Sequence, residues 1–219
     1  MVHRPDILIV QECEHPDKLV FNSSVQHPND FLWFGDNKHK GLGIFSYSKY
    51  KFQIHEQYNL ALKIIAPISV SGGDVDFILF GIWANNHDDP DGQYVEQIWK
   101  AIHHYDQLLN EKRVILIGDF NSNKIWDKKN RIGNHSEVVE KLAQKGIKSI
   151  YHEFFKQAQG TEAHPTFFLQ RNRAKPYHID YCFASMDLYQ KIKKAEIGNY
   201  EDWINHSDHL PLTIAFDPS

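Results

Sequence analysis

What the chain has little of narrows it first. It carries two cysteines, Cys13 and Cys182, in 219 residues, too few for a disulfide scaffold. Both lie in or beside apolar strand-like runs, so buried free thiols are expected. No apolar run approaches the ~20 residues that span a bilayer, and the start has no secretory hydrophobic segment. No membrane span is expected, and a reducing, cytoplasmic location fits. Nor is there an excess of one charge. The formal net charge is -4 and the pI near 6.4, which excludes a global basic field for nucleic acid but leaves room for a local patch. Repeats and low-complexity linkers are also missing.

What is there suits one sizeable core. Hydrophobic residues make up 42% and aromatics 13% of the chain. The length fits one large domain, expected to span residues 1–219. Short apolar runs recur at 6–12, 31–34, 41–46, 52–58, 62–70, 75–83 and 114–118, with turn-forming residues between them. They predict consecutive strands with mostly antiparallel pairing and sheet-on-sheet packing. Pro67 places its strand near a sheet edge. Gly41 and Gly43 predict a bulge or a close backbone approach. Val95, Ile98, Trp99, Ile102, Tyr105, Leu108 and Leu109 share one helical face, and Asp89 before Pro90 gives that helix a start. A second helix is expected over 134–144, capped by Asn134 or Ser136 and stopped by Gly146. Residues 165–169 and 177–183 predict a hairpin. Lysines guard an edge strand over 191–197, and 212–216 is the last strand.

The run 114–121 organises the rest. Four apolar residues, Val114 to Ile117, read as a buried strand that ends at Gly118 and opens into Asp119 and Asn121. Glu12 follows the run 6–10 in the same way. Asp180 sits inside an apolar run, where a lone charge is expensive unless paired or used. Asp208 and His209 precede the final strand. Each is also ordinary at a turn or strand end. Together they predict a carboxylate cluster with one imidazole, the donor set of a hard, oxygen-loving ion such as Mg2+ or Mn2+. A zinc protease site is not supported, since residues 152–156 lack the second histidine of HExxH. The Gly81-Ile82-Trp83 stretch has no serine where a nucleophile elbow needs one. Asn86, after the strand 75–83, is a candidate substrate contact. The basic loops 124–131 and 170–176, with Trp126, Arg171 and Tyr177, are expected to rim the site.

Gln11-Glu12, Gly118-Asp119-Phe120-Asn121, His178-Ile179-Asp180-Tyr181 and Ser207-Asp208-His209-Leu210-Pro211-Leu212 resemble, in order and spacing, four motifs of the endonuclease/exonuclease/phosphatase superfamily. The resemblance spans residues 6–216. It implies an α/β fold, a four-layer α/β/β/α sandwich of two mixed sheets with outer helices. It also implies a Mg2+- or Mn2+-dependent phosphoric ester hydrolase. Glu12 would ligate the metal with Asp208 as a second acid. Asp119, helped by Asn121, would align or deprotonate the attacking water. His209, held charged by Asp180, would contact the scissile phosphate. The first strand of the family, with its Trp-Asn-like end, has no counterpart here, so the domain is expected to be N-terminally short. Trp83 stands where the family often has His or Tyr.

The expected activity is hydrolysis of a phosphodiester, in nucleic acid, by a monomer. The alternatives are a phosphatase of a small phosphorylated metabolite or lipid headgroup, and a catalytically weak member acting as a binding protein.

Overall fold

The structure is a computed structural model that describes residues 4–21, 26–62, 64–85 and 92–217. The first apolar run forms β1 (Ile7–Cys13), and a hairpin forms β2 (Asp30–Asn37) and β3 (Lys40–Ser46). β4 (Lys51–Ile54), β5 (Ile65–Ser71) and β6 (Phe77–Trp83) continue as an antiparallel meander. Helix α1 (Val95–His104) then carries the chain to β7 (Val114–Asp119), which runs parallel to β6. A parallel pair needs such a crossover, because a tight turn joins only antiparallel neighbours. After it come α2 (His135–Gln144), β8 (Ile147–Ser149), α3 (Ile150–Phe155), β9 (Phe167–Phe168) and β10 (Pro176–Tyr177). The chain ends with β11 (Asp180–Ser185), α4 (Met186–Tyr189), β12 (Ile192–Ile197), α5 (Tyr200–Trp203) and β13 (Leu212–Phe216).

The main sheet has six strands in the order β4-β5-β6-β7-β11-β8, and β1-β3-β2, β12-β13 and β9-β10 form smaller sheets. Successive residues of a strand point to opposite faces, and here both faces are buried. Phe80, Leu116 and Phe183 pack against Ile98 and Ile102 of α1 and Val138 and Leu142 of α2. Their strand neighbours Leu79, Ile115 and Cys182 point the other way, onto Leu42 and Ile44 of β3 and onto Ile7, Ile9, Leu212 and Ile214. Each large side chain so buried contributes roughly 1.5–3 kcal/mol. The result is a mixed α/β architecture of several sheets. Among the described residues β1 is bonded on one edge only, to β3, and β13 on one edge only, to β12. Among them, too, no helix is long and apolar enough to cross a membrane.

Pro67, expected near a sheet edge, lies in the second strand of the main sheet, next to the outermost, paired with Phe80 of β6. Its carbonyl accepts from His55, just beyond the last residue of β4. The N–H that proline lacks therefore faces the point where β4 stops. The first helix ends at His104, and Leu108 and Leu109 are buried in a separate short helical turn. Its expected start at Asp89 and Pro90 lies outside the described residues. The run 177–183 is two strands. β10 ends at Tyr177 and pairs with β9, and β11 begins at Asp180 in the main sheet. Both cysteines are buried and free, and burial is the main cause that raises their thiols, to about 11 for Cys13 and about 12 for Cys182.

Candidate active site

The site begins where the β7–β11 ladder ends. Asp119 is the last residue of β7 and Asp180 the first of β11, and the two are direct partners in antiparallel register. Gly118 has φ +140, and a Cβ there would lie 2.0 Å from the Ile82 carbonyl and 2.9 Å from Gln11 Nε2. Only glycine lets β6, β7 and Gln11 come this close. Like charges directly opposite each other weaken a sheet, so the two carboxylates need compensation. Asn121 supplies part of it. Its backbone N–H donates to Asp119 Oδ1 at 2.8 Å and its Nδ2 to Oδ2 at 2.7 Å. This turn puts Asn121 at φ 45, a conformation asparagine tolerates better than most residues. Asp119 is 2% exposed. Burial, reinforced by the charge of Asp180, raises its carboxyl well above the usual range, against the opposing pull of His209.

His209 supplies the other part, its Nδ1 lying 2.9 Å from Asp180 Oδ2. The loop that carries it is laced to the segment before β9. Phe168 N–H donates to the Asp208 carbonyl and Leu210 N–H to the Thr166 carbonyl, closing an isolated bridge between Phe167 and His209. Thr166 is itself buried, and its Oγ1 accepts from both Ile179 N–H and Asp180 N–H at 3.0 Å. One threonine thus orients both halves of the pair. Burial acts to lower the imidazole pKa, but Asp180 by charge and hydrogen bond, with Asp119 and Asp208 adding, lifts it to about 9. The ring is positively charged at neutral pH.

Glu12 joins the same field, since its charge adds to the upward pull on Asp119. It sits at φ 55 in an irregularity of the β1–β3 pairing, a bulge of the kind that re-aims a side chain. Its side chain is 59% exposed, and Oε2 accepts from Lys40 Nζ at 2.8 Å. Among the described residues no three His, Cys, Asp or Glu side chains form a ready-made metal cage. The donor chemistry still fits a magnesium-type ion, which keeps several waters and needs one or two carboxylates. Glu12 and Asp208 could provide these, and the carboxylates of Glu12, Asp119, Asp180 and Asp208 outnumber the one imidazole among them. Such an ion would displace the Lys40 ammonium from Glu12.

A succession of rings leads outward from the imidazole. Phe167 lies 4.7 Å from the His209 ring, Tyr177 6.5 Å from Phe167, and Trp126 5.0 Å from Tyr177. Trp126 is exposed. The structure therefore joins Trp126 and Tyr177 and adds Phe167, which the sequence had placed only in a strand. Arg171, at φ 57, is exposed and reaches the Asn205 carbonyl in the loop leading to Asp208. Asn86 lies outside the described residues. Thr166 has no signal in the sequence, because a single hydroxyl beside an apolar pair has no pattern of its own.

A model of the Endonuclease/Exonuclease/phosphatase family matches residues 1–189. Among solved structures, a 3'-5' exonuclease (NExo) from Neisseria meningitidis is similar with a TM-score of 0.67 at 21% identity, over 97% of this chain and 90% of that one. An AP endonuclease from Archaeoglobus fulgidus gives 0.68 at 16% identity, over 99% and 90%. The 3' phosphatase NExo from Neisseria bound to product DNA hairpin gives 0.65 at 20%, over 97% and 89%. At these identities the likeness is one of fold. No curated protein matches the chain.

Proposed function

The chain belongs to the endonuclease/exonuclease/phosphatase family, and from that footing we propose that it hydrolyses phosphodiesters in nucleic acid with the help of Mg2+ or Mn2+. The observation that carries the reading is the meeting of Asp119, Asn121, Asp180 and His209 at one ladder end, with the imidazole charged. Asp119, held by Asn121 and made more basic by burial, orients the attacking water and takes its proton. The water oxygen bonds to phosphorus as the bond to the leaving oxygen breaks, and that oxygen departs with the bonding pair. The charged His209 ring faces the negative charge that grows on the phosphate oxygens. Asp180 keeps it protonated and oriented. A divalent ion held by Glu12 and Asp208 would supply further charge neutralisation at the phosphate.

Three features support nucleic acid as substrate. The rings of Phe167, Tyr177 and Trp126 offer apolar faces beside the imidazole, suited to stacking on bases or sugars. The loops bearing Lys124, Lys128, Lys129, Arg131, Arg171 and Lys175 supply local positive charge to a chain of net charge -4. The solved structures of similar fold include an exonuclease, an AP endonuclease and a phosphatase bound to a DNA hairpin.

The test is a panel of abasic duplex, single-stranded DNA and small phosphomonoesters, each with Mg2+, Mn2+ or a chelator. Metal-dependent cleavage of a nucleic acid is the expected result. Turnover of the monoesters alone would overturn the substrate assignment. No turnover of any would overturn the hydrolase and leave a binding protein.

A further inference from the structure

Behind the site lies a buried polar network that the chemistry above does not use. Backbone pairing runs one rung past the last strand residues, Asp119 and Asp180. Phe120 N–H donates to the Ile179 carbonyl at 3.0 Å, and among the described residues no backbone donor continues the pairing beyond it. In its place Asn123 Nδ2 donates to the His178 carbonyl at 2.9 Å. A side-chain amide thus acts as the next rung, joining the segment that leaves Asn121 to the segment that enters Asp180. Asn123 is 2% exposed. Its Nδ2 also donates to Glu162 Oε2 at 3.1 Å, and its Oδ1 accepts from Ile125 N–H. Glu162, with a side chain 4% exposed, is held in turn by Gly160 N–H at 2.9 Å and by His152 Nε2 at 3.0 Å. Next to Asn123, Ser122 Oγ pairs with His135 Nδ1 at 2.9 Å, a second anchor for the same loop.

We propose that Glu162 and Asn123 are positioning residues for the reaction: Glu162 fixes the Asn123 amide, and Asn123 clamps the ladder end so that Asp119 and Asp180 stay face to face. The need for a clamp follows from charge. Two facing carboxylates push the strand ends apart; Asn121 and His209 offset their charge, but of the backbone only the Phe120–Ile179 rung lies beyond them to hold the strand ends together. A buried carboxylate that accepts three hydrogen bonds is a rigid partner, whereas a water in its place would let the amide turn. The inference rests on the reading of Asp119, Asp180 and His209 as the reacting centre.

The experiment uses Asn123→Ala and Glu162→Ala in the full chain, with Glu162→Gln as a milder variant should alanine prevent folding. Two readouts are taken. In steady-state cleavage of the preferred nucleic acid, kcat should fall about 100-fold, the loss a misplacement near 1 Å produces; for the Glu162 variants KM should stay within about 3-fold, because Asn123 Oδ1 still caps the turn that carries Trp126. In hydrogen exchange, the Phe120 and Asp180 amides should exchange at least about tenfold faster, while those of Ile68 in β5 and Leu79 in β6, outside the β7–β11 ladder, keep the parental rate, as local opening requires. Unchanged kcat in an active protein overturns the proposal, as does exchange that rises equally everywhere, which marks a merely structural role. If the parent cleaves no phosphodiester, the proposed function fails, and the exchange measurement still decides the clamp: a local rise supports it, no rise or a uniform one overturns it.

Discussion

At the scale of the residue, the pair that decides most is His209 with Asp180. A base whose pKa is lifted to about 9 by a neighbouring carboxylate keeps its charge through neutral pH and loses it only on the alkaline side. The rate should therefore show no titration of His209 up to that point and fall above it. Asp180→Asn removes the main cause of the lift and leaves burial, which acts the other way, so the alkaline fall should move to lower pH in the profile of kcat/KM. His209→Ala should lower kcat by roughly 100- to 1000-fold, the range for losing a group that faces growing charge. A variant that turns over at the parental rate would remove His209 from the mechanism. Sequence alone pointed to these residues because carboxylate, amide and imidazole stand in or beside apolar runs and fall within four ordered motifs. It did not point to Thr166, Asn123 or Glu162. Their work is done by one hydroxyl, one amide and one carboxylate in loops, where the same residue types usually serve turns, and only the folded partners set them apart.

At the scale of the element, α2 shows how a cap can be reinforced from elsewhere. Asn134 occupies the cap position in a capping box with Glu137, whose Oε2 accepts from Asn134 N–H at 2.9 Å, and Asn134 Oδ1 also accepts from Lys128 N–H and Arg131 Nε. The first free amides of the helix, His135 N–H and Ser136 N–H, go to the Asp127 carboxylate at 2.9 and 3.2 Å. Asp127→Ala should therefore destabilise the protein by about 1 kcal/mol, read as a lower urea midpoint with unchanged slope. The same loop carries Lys128, Lys129 and Arg131. Replacing all three with alanine should weaken nucleic-acid binding at low salt. The plot of log affinity against log salt should flatten by about 0.7–0.9 for each phosphate no longer neutralised. Unchanged affinity would mark the loop as a bystander. The strands were legible because β-branched runs bounded by glycine and proline have few other uses. The break between β10 and β11 was not, since residues 177–183 look continuous in composition. What divides them is Thr166, which takes the amides of Ile179 and Asp180.

At the scale of the whole molecule, acid should unfold the protein in two windows. Burial lowers the His178 ring to about 4, only partly offset by its bond to the His164 carbonyl. It is neutral when folded and would be charged sooner unfolded, so its contribution is present above the ordinary 6.5 and is lost as pH falls from there to about 4. Burial acts to raise Glu162, but hydrogen bonds from His152, Gly160 N–H and Asn123 bring it down to about 2. Its contribution is present above 4.5 and lost as pH falls from there to about 2. Each is on the order of 3 kcal/mol. Urea midpoints measured across this range should decline throughout, and His178→Gln should flatten the upper part. A midpoint that holds steady from neutral pH to pH 4 would contradict the burial described for His178. The family and the mixed α/β class were readable at this scale because the four motifs recur in order. The polar network was not, since its members are scattered between residues 122 and 181 without a common spacing.

The crossover from β6 to β7 also sets a clock. The helical signal of α1 and α2 arises from interactions between near neighbours along the chain, whereas the reacting groups meet only when β1, β7, β11 and the 207–210 loop have all found distant partners. Non-local pairing of this kind completes in milliseconds to seconds, well after helices. On dilution from denaturant, far-ultraviolet ellipticity should recover first and catalytic turnover last. A partly folded chain, however native its helices, would have no enzyme in it.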